Sequence, residues 1–211
     1  MRYQKLIVLS GSIYLLFISS SIFAQRHFAQ RYNDDAFSRG TGVLDVGLGI
    51  GDSYAYGNGN YTSTPNFIMS YDYGLMFVGP GTISIGGLLS YRGVFYNYTA
   101  PSGYYYNQSW LYYIIGVRSA YHWNFTRNRK WDPYFGIMLT YYGLHYNQSS
   151  NDPSNNNPAN PYYSQSSVNY NSYLSPGFYI GARYLLGNKI GIWLELGYGY
   201  TDAALGICVK F

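Results

Sequence analysis

The stretch ISIGGLLSYRGV (residues 83–94) decides how the chain is read. It is apolar almost throughout, yet Arg92 stands near its end with no opposite charge close by in sequence. The same arrangement recurs around Arg118 in YYIIGVRSAYHW (112–123) and around Arg183 in GFYIGARYLL (177–186). In a strand, alternate residues share a face. Ile83, Ile85, Leu89 and Tyr91 then lie on one side with Gly87. Ser84, Gly86, Leu88, Ser90 and Arg92 lie on the other. The arginines belong to a second, mixed face.

Working outward, eight alternating segments follow Thr41, at roughly 41–51, 65–77, 82–95, 109–123, 134–146, 172–186, 189–200 and 203–211. Around Arg118 the apolar face is Tyr113, Ile115, Val117, Tyr121 and Trp123, opposite Gly116, Arg118, Ala120 and His122. Around Arg183 it is Phe178, Ile180, Ala182 and Tyr184. Asp45 and Glu195 likewise fall on glycine-rich faces. Segments two to three, four to five and six to seven are joined by short turns or modest connections. Long polar loops at 51–65, 96–109 and 147–171 make the opposite connections, and only the last link, around Thr201, breaks the trend. This predicts an all-β fold, an eight-stranded antiparallel up-and-down barrel.

A soluble barrel and a transmembrane barrel share this alternation but are inside-out versions of each other. Composition separates them. Charged residues are only 10% of the 211, whereas aromatics are 21% and include 29 tyrosines. A water-facing exterior needs more charge than this. The apolar face also carries aromatics towards its ends: Tyr71, Tyr73, Phe77, Tyr121, Trp123, Phe135, Tyr141, Tyr198 and Tyr200. Such girdles sit at bilayer interfaces. The reading is a transmembrane β-barrel with its arginines in the lumen.

The N-terminus fits export. Arg2 and Lys5 precede an apolar core from Leu6 to about Ile18, and small residues end at Ala24. That is a signal peptide over 1–24, followed by a periplasmic tail over 25–40 and the barrel over 41–211. The bacterial outer membrane is the expected location. Cys208 is the only cysteine, so no intramolecular disulfide can form.

Counted from the short-turn end, Asp45, Asp72, Arg118, Arg183 and Glu195 share one height in the lumen. Lys210 lies lower, expected near Asp45 because the first and last strands close the barrel. His122 lies near the same lower rim, while Arg92 is higher and has no assigned partner. Guanidinium forks suit carboxylates. Buried charges in a narrow barrel must be paired, and eight strands leave an interior just filled by side chains. A structural plug is therefore expected, rather than an open pore.

Other chemistry finds little support. Arg127, Arg129 and Lys130 form too short a basic cluster for nucleic acid. His27, His122 and His145 lack zinc-ligand spacing. No cofactor, metal or catalytic residue is assigned. His145, with Ser149 and Ser150 after it, is the one enzymatic candidate near a membrane surface.

VRSAYHW (117–123), WDPYFGIMLTYYG (131–143), GARYLLGNKIGIWLELGYGY (181–200) and the closing LGICVKF resemble the small outer-membrane β-barrel proteins typical of Bacteroidota. The resemblance covers the last five strands. It implies an outer-membrane barrel with both termini in the periplasm. It also implies a terminal strand, ending at Phe211, read by the barrel-insertion machinery. Lipid A deacylases share the architecture, but their His-x-Ser strand pattern is missing here.

The expected role is non-enzymatic: a plugged barrel acting structurally, or through long extracellular loops in surface interactions. Tyr162, Tyr163 and Tyr170 are the candidate loop contacts. The alternative is an accessory barrel of a secretion or envelope-assembly machine; a lipid A-modifying enzyme and a narrow channel rank lower. Expected partners are outer-membrane lipid and lipopolysaccharide, the insertion machinery, and a surface or periplasmic protein.

Overall fold

The computed structural model describes residues 35–51, 61–126, 128–153 and 172–211. Strands follow the alternation. They are β1 (Gly42–Ile50), β2 (Tyr61–Ser63), β3 (Asn66–Val78), β4 (Gly81–Thr99), β5 (Tyr105–His122), β6 (Trp131–Ser150), β7 (Tyr173–Leu185), β8 (Ile190–Tyr198) and β9 (Ala203–Lys210). Each barrel strand pairs antiparallel with the next, and β1 pairs with β9 to close the ring. Eight strands make the barrel. The short β2 adds to the upper part of β4 alone.

Burial alternates along the strands as the two faces require. The outward side chains of mid-strand are apolar and exposed: Ile115, Val117, Ile137, Ile180, Leu194 and Ile207 among them. Trp123, Phe125 and Phe135 ring the short-turn end, and Phe67, Tyr91, Phe178 and Tyr198 the other. A belt of this composition is stable only against lipid. The fold is a transmembrane β-barrel. In β3, a bulge between Gly74 and Met76 turns Leu75 and Met76 outward in succession without disturbing the pattern above it.

Two features depart from the sequence reading. Residues 96–109, read as a loop, are mostly strand. β4 and β5 pair without a register shift up to Thr99↔Tyr105, leaving a short turn. β6 likewise runs to Ser150. Above the bilayer both faces of a strand are wet, so an apolar/polar alternation disappears, while Tyr and Thr still favour extended backbone. The second departure is Tyr200, expected on the lipid face. Strand β8 ends at Tyr198, and Gly199 takes φ +109, a conformation open chiefly to glycine. The chain turns there and Tyr200 is fully buried.

The lower end is closed by part of the segment that precedes β1. Of the tail expected over 25–40, residues 25–34 lie outside the described residues, but Ala36, Phe37 and Ser38 are buried. Gly40 N–H donates to Gly74 O at 2.8 Å and Gly74 N–H to Thr41 O at 2.9 Å, tying this segment to β3. Phe37 stacks on His122 with ring centroids 3.7 Å apart.

Candidate functional site: a buried charge layer in the lumen

Because inward positions repeat every second residue, neighbouring strands deliver charges to one level from far apart in sequence. β7 contributes Arg183. Its Nε and Nη2 donate to the two oxygens of Asp45 on β1, Nη1 donates to Asp132 Oδ2 at 3.0 Å, and Nη2 also reaches Asp72 on β3. β5 contributes Arg118. Its Nη2 donates to Glu195 Oε2 on β8 at 2.7 Å. Its Nε donates to the Tyr179 hydroxyl at 3.0 Å and lies 3.1 Å from Asp72 Oδ1. Since that N–H points at Tyr179, the Asp72 contact is an ion pair rather than a second directed bond. All of these groups are buried.

Aromatic rings hold the two guanidinium groups from their faces. Arg118 lies over Tyr179 at 4.0 Å from the ring centroid, and Arg183 over Tyr134 at 4.5 Å. The Tyr134 hydroxyl donates to Glu195 Oε2 at 2.8 Å, and Tyr200 donates to the other oxygen. Ser70 Oγ donates to Asp45 Oδ2 at 3.2 Å. A buried carboxylate requires several donors to offset its lost hydration, and Asp45 and Glu195 each have more than two.

The structure thus brings together Asp45, Asp72, Arg118, Arg183 and Glu195. Lys210, expected near Asp45, stands apart: its Nζ donates to the backbone O of Asp35 at 3.2 Å, and its strand register pairs it with Val43. The terminal position leaves a long side chain at the rim, where the buried 35–38 segment offers a carbonyl. Arg92 Nη2 donates to Ser63 Oγ at 3.0 Å, on the short strand that the sequence hid in a loop. Tyr162, Tyr163 and Tyr170 lie outside the described residues.

Asp132 and His122 complete the layer. Asp-Pro reads as a turn, so Asp132 was not foreseen as a member of this layer, but β6 begins at Trp131 and Asp132 points inward two residues before Tyr134. His122 Nδ1 lies 2.8 Å from Asp132 Oδ1, and its Nε2 lies 3.0 Å from Ser84 Oγ. The order Asp–His–Ser is that of a nucleophilic triad. The surroundings are not. Ser84 is fully buried, the strand N–H groups around it are engaged in the sheet, and Phe37 covers the imidazole face. His145 and Ser149 face outward on β6, with Ser150 on the inner face. Among the described residues no group of three or more His, Cys, Asp or Glu side chains is placed to hold a metal ion.

No family model matches the chain, and no curated protein matches it. Among solved structures, it is similar to OprG, an outer membrane protein from Pseudomonas aeruginosa (11% identity, 84% of this chain and 98% of that one, TM-score 0.47). It is also similar to Ail of Yersinia pestis in complex with the heparin analogue sucrose octasulfate (12% identity, 82% and 99% coverage, TM-score 0.44). A third is the N-terminal β-barrel domain of Pseudomonas aeruginosa OprF (13% identity, 83% and 100% coverage, TM-score 0.40). At these identities and scores no residue role or ligand passes from them to this chain.

Proposed function

We propose that the protein is a non-conducting, non-enzymatic barrel of the bacterial outer membrane that holds an interaction surface outside the bilayer. The observation that carries this is strand length. A strand crosses a bilayer with about 9–11 residues, whereas β4, β5 and β6 have 19, 18 and 20. The excess rises on the side away from the chain's N-terminal segment as one continuous three-stranded sheet, and a rigid sheet suits recognition better than a solvating loop.

The charge layer supports the non-conducting half of the reading. Arg118 and Arg183 reach across the lumen to carboxylates on other strands, and Phe37 lies beneath them, leaving side chains where a water path would run. Burial of Ser84 supports the non-enzymatic half. Export by the signal peptide over 1–24, periplasmic termini and membership of the Bacteroidota barrels belong to the same proposal, resting on the N-terminal pattern and the resemblance given above. The tyrosines Tyr162, Tyr163 and Tyr170 would extend the same surface.

Two measurements test it. Planar-bilayer recordings of the wild type are expected to stay silent; steady unitary steps would sink the plug. A photo-crosslinking residue at Tyr98, and another at Tyr163, should capture a discrete macromolecule in intact cells. Capture of lipid alone would reduce the barrel to a structural element.

A further inference from the structure

Above Arg92 the inner face of β4, β5 and β6 changes chemistry. Strand register is unbroken from Thr82↔His122 to Thr99↔Tyr105 and from His122↔Tyr134 to Tyr106↔Ser150, so the same residue parity that faces the lumen below continues above. Instead of charges it now carries aromatic rings. Tyr146 lies 5.4 Å from Trp110, Trp110 is 5.8 Å from Tyr61, and Tyr61 is 5.4 Å from Tyr96. The series goes on from Tyr96 to Tyr98 at 6.5 Å and from Tyr98 to Tyr106 at 6.2 Å. Tyr98 is 46% exposed and the other five are half-buried.

Polar groups edge this row. The Tyr146 hydroxyl donates to Gln148 Oε1 at 2.8 Å, and the Tyr106 hydroxyl donates to Asp152. Formal charge is nearly missing. Residues 93–112 contain none, residues 143–173 contain only Asp152 beside His145, and residues 51–65 contain only Asp52. A polyanion would meet Arg92 alone, already bonded to Ser63, and a polycation would find little more.

The ligand chemistry follows by elimination. The row presents a run of mostly half-buried rings with hydroxyl and amide groups at the edges and a single formal charge, Asp152. A pyranose presents an apolar C–H face that stacks on an aromatic ring, with hydroxyls around its rim for the amides. The ring spacing is comparable with the advance of one sugar along an extended glycan. A protein partner would use Tyr and Trp too, but together with Arg and a desolvated apolar centre; this row has Arg92 alone at its foot and hydroxyl and amide groups along its edges. The sheet rises only on the order of 20 Å above the bilayer, so the chains it meets first are those rooted in the same leaflet. We propose that this aromatic row binds a neutral glycan chain of the cell's own envelope. The inference rests on the reading of the extension as an interaction surface.

The test uses the full-length barrel in nanodiscs, titrated by calorimetry with neutral dextran, cello-, xylo-, manno- and chito-oligosaccharides, and with dextran sulfate as the charged control. At least one neutral probe should bind, with little dependence on salt. Trp110→Ala and Tyr98→Ala should each weaken it by about tenfold or more, while Trp110→Phe stays within about threefold. Tyr98 is exposed, so its variant keeps the fold. Preference for dextran sulfate, indifference to both alanine variants, or no binding by any neutral probe would overturn the proposal. The cross-linker at Tyr98 separates the two readings. A protein adduct would keep the interaction surface and reject the glycan, and a glycan adduct that persists in cells stripped of their own polysaccharide would reject the envelope source. Lipid capture alone, with no oligosaccharide binding, would remove both.

Discussion

Arg183 holds the carboxylate of Asp45 with two hydrogen bonds, Nε to Oδ1 at 2.9 Å and Nη2 to Oδ2 at 2.6 Å, from a strand that is not its neighbour. Strands β8 and β9 stand between β7 and β1, so the pair braces the barrel from within. Replacing Arg183 by Met would leave Asp45, Asp72 and Asp132 buried without their shared cation. The expected loss is about 3–5 kcal/mol of stability, the usual result of removing one partner of a buried pair. Arg183→Lys should recover only part of it, since an ammonium cannot fork between carboxylates. Urea unfolding in detergent micelles measures both, and full stability of the Met variant would show the bonds to be idle.

The outer face sets a second expectation. Ile137 is 70% exposed in the middle of β6. Ile137→Arg should cost about 2–4 kcal/mol in lipid vesicles, as at other midplane positions of barrels, whereas Tyr98→Arg should be close to neutral. Folding titrations into vesicles compare the two directly. Equal costs would mean that the waterline does not fall between them.

Phe37 offers a third. Its ring is 5% exposed, lies flat on His122 and comes within 5.9 Å of the Arg183 guanidinium. Phe37→Ala should destabilise the barrel by roughly 3–5 kcal/mol if the pocket cannot collapse. Hydrogen exchange at Thr41 and Gly74, whose amides close this end, should quicken more than exchange in β5. Uniform exchange in both places would argue that Phe37 lies loosely at the rim.

The seam between the first and last strands supplies a fourth. Gly47 and Gly206 are opposed across β1 and β9. A Cβ on Gly206 would come within 2.1 Å of Val46 O and 2.7 Å of the Trp193 indole nitrogen. Gly206→Ala should therefore cost about 1–3 kcal/mol by overpacking. Gly187→Ala, with nothing within 4 Å, serves as the control. A harmless Gly206 variant would show that Trp193 can give way.

How much of this was legible follows from what alternation can encode. Five charges, Asp45, Asp72, Arg118, Arg183 and Glu195, were readable because a period of two assigns a face without any tertiary knowledge. Asp132 escaped because Asp-Pro has the chemistry of a turn, and only the inward sequence Asp132, Tyr134, Gly136 could have revealed it. Tyr200 was misread because one glycine with positive φ resets the alternation. Lys210 missed Asp45 because side-chain reach at a rim depends on a neighbouring segment, here Asp35. Strand ends in β4, β5 and β6 were hidden because the pattern that marks a strand is imposed by lipid and stops with it.

The unequal strand lengths also give the barrel a front and a back. β8, β9 and β1 have nine, eight and nine residues, and stop where β4, β5 and β6 continue. Rotation about the membrane normal therefore changes what the protein presents to its surroundings. Neighbours crowding the low side would leave the tall side in view, whereas a neighbour against the tall side would eclipse it. In a densely populated membrane, orientation within the plane becomes a variable that could turn such a surface on or off without any change in fold.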